Sequence, residues 1–163
     1  NFMKDNFSYL GLQRMPWETQ LLWINLGLVS PYVLAASQEF QVGGISNVRG
    51  YPAGEQIGDQ GLTSSLSWII PPYGLPKEIK VPFSQAYLYN ALRVLAFYDW
   101  GFVNLHNPQA GEEKKETLRS AGLGMRISLP EDFSLRVDLA WPLDKTPSDG
   151  DHLHPWLSVS KQF

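Results

Sequence analysis

Phe133-Ser134-Leu135-Arg136-Val137-Asp138-Leu139-Ala140-Trp141-Pro142-Leu143 is the stretch that decides the fold class of this chain. Phe133, Leu135, Val137, Leu139, Trp141 and Leu143 occupy every second position, and Ser134, Arg136, Asp138, Ala140 and Pro142 fall between them. A period of two puts the two sets on opposite faces of a strand, whereas a helix would scatter both around its axis. The preceding segment, Leu118–Leu129, repeats the pattern. Ala121, Leu123, Met125, Ile127 and Leu129 are apolar, and Ser120, Gly122, Gly124, Arg126 and Ser128 are small or polar. Pro130-Glu131-Asp132 joins the two as a hairpin.

Working outward, Leu88–Phe102 places Leu92, Val94, Ala96, Tyr98 and Trp100 opposite Arg93, Leu95, Phe97, Asp99 and Gly101. Leu62–Ile70, Thr19–Val29, Phe7–Arg14 and His154–Phe163 complete a set of seven predicted strands, with an eighth if the first residues pair. The expectation is one all-β antiparallel barrel domain over residues 1–163. Several runs reach ten residues. Strands of globular sheets peak near ~5–6 residues, and a tilted membrane strand needs ~9–11. Short turns are expected at Met15–Trp17 and Pro130–Asp132, and longer polar loops at Pro71–Lys80, His106–Glu116 and Asp144–His152. Short turns on one side and long loops on the other suit an outer-membrane barrel. Tyr98, Trp100, Trp141 and Trp156 are placed as an aromatic girdle near strand ends. Alternation fits two senses. In a soluble barrel the apolar face points inward; in a membrane barrel Arg93, Asp99, Arg136 and Asp138 line the lumen and Leu, Val and Trp meet lipid.

Composition narrows the function classes. A formal net charge of −3 and a pI near 5.6 argue against nucleic acid as a partner, because phosphate binding needs a basic surface. With no cysteine there is no thiolate metal or redox site. Leu21–Ala36, the most apolar stretch, is broken by Asn25, Ser30 and Pro31 and is shorter than the ~18–20 residues of a spanning helix. A membrane form would therefore cross as strands. The chain opens on Asn1 with no leader, the mark of a processed product or of a piece of a longer chain.

Between two strands runs Gln41–Gly61, dense in glycine (Gly43, Gly44, Gly50, Gly54, Gly58, Gly61) and carrying Val48-Arg49-Gly50-Tyr51. A loop of about twenty residues without structure is unusual in a compact domain and is usually functional or disordered. Val48, Tyr51 and Ile57 weigh against disorder.

Glu39-Phe40-Gln41-Val42-Gly43-Gly44, Val48-Arg49-Gly50-Tyr51, Gly58-Asp59-Gln60-Gly61, Phe97-Tyr98-Asp99-Trp100-Gly101, Ala121–Arg126, the Leu135–Pro142 strand and the terminal Phe163 occur in that order along nearly the whole chain. With these motifs the sequence resembles the outer-membrane protein assembly and secretion barrels, most closely the haemolysin-activator-like transporters of two-partner secretion. The resemblance implies the C-terminal half of a sixteen-stranded barrel that periplasmic POTRA domains precede. It implies a loop folded into the lumen, with Arg49 meeting Asp99 of the Phe-x-Asp-x-Gly strand. Gly43, Gly44, Val48, Gly50, Tyr51, Gly58 and Asp59 would form the loop motif, Phe97 and Gly101 would flank the anchoring aspartate, and Phe163 would be the C-terminal signature. Phe97 and Asp99 share a predicted face, and Gly50 and Gly101 would let the backbones approach. An eight-stranded barrel is filled by its own side chains. The loop thus requires strands from a missing part of the chain, strands from a second copy, or a position outside the lumen.

Other chemistry is weakly signalled. His106, His152 and His154 are scattered, and no Gly-x-Ser-x-Gly elbow or phosphate loop opening a helix is present. The expectation is a non-enzymatic barrel of a Gram-negative-type outer membrane that moves or inserts polypeptide. It would use no cofactor and no metal, with lipid, a polypeptide client and self-association or added strands as partners. A small structural or adhesion-type barrel and a soluble lipocalin-type barrel are the alternatives.

Overall fold

The computed structural model describes residues 3–82, 84–109, 113–130 and 132–161. Among them lie β1 (Asp5–Arg14), β2 (Gln20–Val29), β3 (Phe40–Val42), β4 (Gln56–Gly58), β5 (Gln60–Ile70), a one-turn helix α1 (Leu88–Ala91), β6 (Leu92–Asn104), β7 (Lys115–Leu129), β8 (Phe133–Pro142) and β9 (His154–Lys161). Seven strands form one antiparallel sheet in the order β1-β2-β5-β6-β7-β8-β9. They are the seven expected from alternation. The eighth depended on the first residues, and Asn1 and Phe2 lie outside the described residues. The sheet is open, with β1 and β9 as its edges.

Two boundaries differ from the sequence reading. The strand expected from Leu88 begins at Leu92, because Leu88–Ala91 turns as α1. The loop expected as Gln41–Gly61 is partly regular, since β3 and β4 pair with each other as a small ribbon.

Register sorts the two faces. Ser65, Asp99, Ser120 and Pro142 lie opposite one another across β5 to β8. Phe97, Gly122, Ala140 and His154 form the adjoining row on the same side, and Leu95, Gly124, Asp138 and Trp156 the next. Asp99, Ser120, Asp138 and Ala140 on this face are wholly buried. The opposite face carries Val94, Tyr98, Leu123, Leu139, Trp141 and Leu157, all exposed, Leu123 at 55% and Leu157 at 70%. Carboxylates inside and leucines outside is the membrane sense of a barrel wall, the reverse of a soluble sheet.

The connections need one correction. In a meander they alternate sides. The turn after β1 (15–19), the segment between β5 and β6 (71–91) and the turn after β7 therefore share one side. Pro71–Lys80, expected among the long loops, lies with the short turns. Pro and Gly density marks a loop but says nothing of its side, which follows only from counting strands. On that side Tyr73 hydrogen-bonds to the Trp17 carbonyl, and the Tyr89 hydroxyl donates to Glu18 at 3.1 Å. Long segment and short turn are thus tied together.

The outward leucines generate a test. Leu123 sits midway along β7 opposite Ala96 and Leu139. Leu123→Arg is expected to lower the unfolding free energy by about 2–4 kcal/mol when urea unfolding is followed in lipid vesicles, the cost of an arginine at the bilayer midplane. On a water-facing sheet the same change would stay within about 0.5 kcal/mol.

Candidate functional site

The 30–59 connection folds onto the face that carries Asp99. Its base is held by Asp59, a buried carboxylate that accepts from the backbone N–H of Leu34 at 2.5 Å and of His106 at 2.7 Å. Its tip closes on itself. The Gly44 N–H donates to the Tyr51 carbonyl at 2.9 Å, and Asn47 Oδ1 accepts from the N–H groups of Gly43 and Val48. Gly43 and Gly44 have φ of +115° and +100°, a left-handed turn that side chains resist. Val42, Val48 and Tyr51 then pack with Val103 of β6 and Leu118 of β7, with Phe40 alongside. Burying side chains of this size contributes roughly 1.5–3 kcal/mol each. Ile57, counted with Val48 and Tyr51 against disorder, is 41% exposed and takes no part in this core.

The predicted close approaches are present. A Cβ on Gly50 would stand 2.9 Å from the Trp141 carbonyl carbon and overlap Ser120. A Cβ on Gly101 would stand 2.8 Å from Val48 and overlap Val42. Gly58 closes β4 in buried contact with β6.

Arg49 is thereby carried onto the sheet. Its Nε donates to Asp99 Oδ2 at 2.8 Å, its Nη2 to Asp99 Oδ1 at 2.7 Å, and its backbone N–H to Oδ2 at 3.1 Å. The guanidinium lies 3.3 Å above the Phe97 ring. Nη2 also donates to Ser65 Oγ at 3.0 Å, and Ser65 donates in turn to Asp99 at 2.7 Å. Ser120 reaches the same carboxylate at 3.4 Å. The Arg49 and Asp99 side chains are 4% and 0% exposed. A forked pair with every lone pair engaged is strong and directional.

The wall around this pair comes from the two strands that carry the Ala121–Arg126 motif and the Leu135–Pro142 segment. Asp138 on β8 lies 3.6 Å from Arg49 Nη1. It accepts from Arg126 at 2.6 and 3.0 Å and from Arg136 Nε at 2.8 Å. Arg136 also donates to the Ile45 carbonyl of the loop at 2.9 Å. Alternation placed Asp138 and Arg136 on the lumen side; their contact with the loop came only with the register.

Trp156, expected in the girdle, lies on the inner face, where its indole N–H donates to the Arg49 carbonyl at 2.7 Å. The parity of β9 puts it there, opposite Asp138. Tyr98 is exposed on the outer face but stands mid-strand rather than at an end. On the long-loop side, Glu55 accepts from the N–H and hydroxyl of Ser148 at 3.0 and 2.7 Å. The Tyr51 hydroxyl accepts from the Asp144 N–H at 3.3 Å, and burial pushes its phenol above the ordinary value, so it stays neutral. Phe163 lies outside the described residues.

Comparison with known proteins agrees with this geometry. The Omp85 superfamily domain model matches residues 2–163. The heme/hemopexin transporter protein HuxB of Haemophilus influenzae is 30% identical over 146 residues, covering 85% of this chain and 24% of HuxB. The chain therefore spans about a quarter of the length of the curated relatives it matches. CdiB from Acinetobacter baumannii superposes with a TM-score of 0.62 at 20% identity, over 94% of this chain and 25% of CdiB. BamA from Haemophilus ducreyi lacking POTRA domains 1-3 superposes with a TM-score of 0.68 at 17% identity, over 96% of this chain and 35% of that one. At those identities the two structures speak for the fold.

Removing one partner of a buried ion pair leaves an uncompensated charge and costs about 3–5 kcal/mol. Arg49→Ala and Asp99→Ala are each expected to destabilise the barrel on that scale. In the double variant the losses should fall short of their sum by more than about 1 kcal/mol, read from unfolding in lipid vesicles. Additive losses would mean that the two residues act apart. Arg49→Lys should recover little, because an ammonium cannot fork onto Asp99 and lie flat on Phe97 together.

Proposed function

This chain belongs to the Omp85 superfamily, and from that premise we propose that it builds part of the wall of a barrel through which polypeptide is translocated or inserted, with the 30–59 loop as a fixed brace inside the lumen. Its setting is the outer membrane of a Gram-negative-type bacterium, a placement that goes with the superfamily and with the outward apolar face. Both set aside the soluble lipocalin-type alternative.

The buried fork of Arg49 on Asp99 carries the proposal. A buried ion pair adds little net stability over an apolar substitute of the same shape. What it supplies is position: Arg49 is satisfied only where Asp99, Ser65 and Phe97 meet it together. Asp99 is saturated by Arg49, Ser65 and Ser120, which favours a mechanical role over a catalytic one. We read the protein as a conduit that uses no cofactor or metal. The 30–59 loop, further fastened by Trp156 and by the Glu55–Ser148 contact, narrows the passage without swinging freely.

Two partner classes belong to this reading. The outward band of Leu, Val, Tyr and Trp suits bilayer lipid. The edges β1 and β9 would each leave unpaired backbone groups in hydrocarbon, at several kcal/mol per group. Further strands therefore complete the wall, drawn from elsewhere in the protein or from a second copy. They also widen it enough to hold the loop.

Planar-bilayer conductance and polypeptide export by the full-length protein test the reading. Open channels are expected from the native protein. Arg49→Ala should cut export about tenfold, the factor for roughly 1.4 kcal/mol of lost positioning, while the barrel keeps its heat-modifiable gel mobility. A folded, inserted barrel that neither conducts nor exports would return the chain to the structural or adhesion class.

A further inference from the structure

The inner face holds more positive charge than its loop requires. Arg93 on β6, Arg126 on β7 and Arg136 on β8 stand directly opposite one another across three neighbouring strands. Like charges in that relation repel, and native sheets avoid it unless something compensates. Asp138 is shared by Arg126, Arg136 and Arg49, and Asp99 is taken up by Arg49. Arg93 donates to the Tyr89 and Leu92 carbonyls, which carry no full charge. In this cluster, among the described residues, four guanidinium groups thus share two carboxylates. Arg49 is closed off at 4% exposure, but Arg126 and Arg136 are 26% and 33% exposed.

Both border a pocket of about 170 Å³ beneath the loop. Leu22 and Ile24 of β2 and Ile45 of the loop tip give it an apolar part, and Ser46, Asn47 and Arg49 of the loop with Ser65 and Ser67 of β5 complete a mixed lining. The lining thus joins guanidinium groups to aliphatic and small polar side chains, in a volume on the scale of a single side chain. Those features suit a carboxylate on a short methylene stem.

We propose that this pocket is an acidic-side-chain subsite: a glutamate or aspartate flanked by apolar residues, carried on an extended polypeptide in the lumen, seats its carboxylate on Arg126 and Arg136 and its neighbours on Leu22, Ile24 and Ile45. The site rests on the lumen reading above and adds a preference to it. Polypeptide segments that alternate acidic and apolar residues would pause here, and their amide counterparts would not.

The test uses the full-length protein in detergent with acetyl-Leu-Glu-Leu-amide and acetyl-Leu-Gln-Leu-amide as probes, read by titration calorimetry. The glutamate peptide is expected to bind at least about tenfold more tightly, the difference between a charge-assisted and a neutral hydrogen bond. Raising the salt should erode that advantage, because the two arginines are partly open to solvent. Arg126→Gln and Arg136→Gln should each remove most of it in protein that keeps its heat-modifiable mobility. Equal affinity of the two peptides for the native protein would overturn the subsite, and that measurement needs no variant. A glutamate preference that survives both substitutions would overturn it as well. Channel recordings on the same preparation separate the two claims. Discrimination without conductance keeps the subsite and sinks transport; conductance without discrimination does the reverse.

Discussion

The structure turns on where one guanidinium can go. Arg49 is satisfied only if β5 supplies Ser65, β6 supplies Phe97 and Asp99, β7 supplies Ser120 beside that aspartate, β8 supplies Asp138 and β9 supplies Trp156. Five adjacent strands must therefore hold a single register. A slip of one residue would send Asp99 or Asp138 to the lipid side and bring leucine in. The cation in the loop selects the alignment of the wall as much as the wall holds the loop.

What packs in this wall follows from the same constraint. A membrane sheet has no hydrophobic core between layers, because its apolar face is given to lipid. One dry cluster is made instead by the loop, with Val42, Val48 and Tyr51 set on Val103 and Leu118, and a smaller one of Leu95, Phe97 and Ala140 lies on the inner face of the sheet itself. Room for it comes from small residues on the inner face, with Gly101 under Val42 and Val48 and Ser120 under Gly50. The glycines that look like a weak strand pattern in β6 and β7 are where the loop and the inner side chains are seated.

Much of this could be read from residues alone, for physical reasons that differ by element. Period-two alternation exposed all seven long strands and the side of Asp99, Arg136 and Asp138, because a half-polar strand advertises its faces. The Arg49–Asp99 contact needed the motif resemblance, since nothing local links residues fifty positions apart. Strands β3 and β4 are three residues each and lie in glycine-rich sequence, too short to show a period. Leu88–Ala91 continues an apolar run, so its helical turn was hidden in the strand signal. Trp156 was misplaced by residue type, although its parity along β9 pointed inward. The row of Arg93, Arg126 and Arg136 lies on three strands whose mutual offset no sequence pattern declares.

The hydrogen bond from Trp156 to the Arg49 carbonyl spans 107 positions. It gives the loop a clock. Contacts of such separation form late, after the intervening chain has been ordered. Until β9 docks against β8, the loop lacks the partner that caps its arginine from behind. The indole of β9 thus ties bracing to assembly: the loop is latched from behind only once β9 has docked on β8.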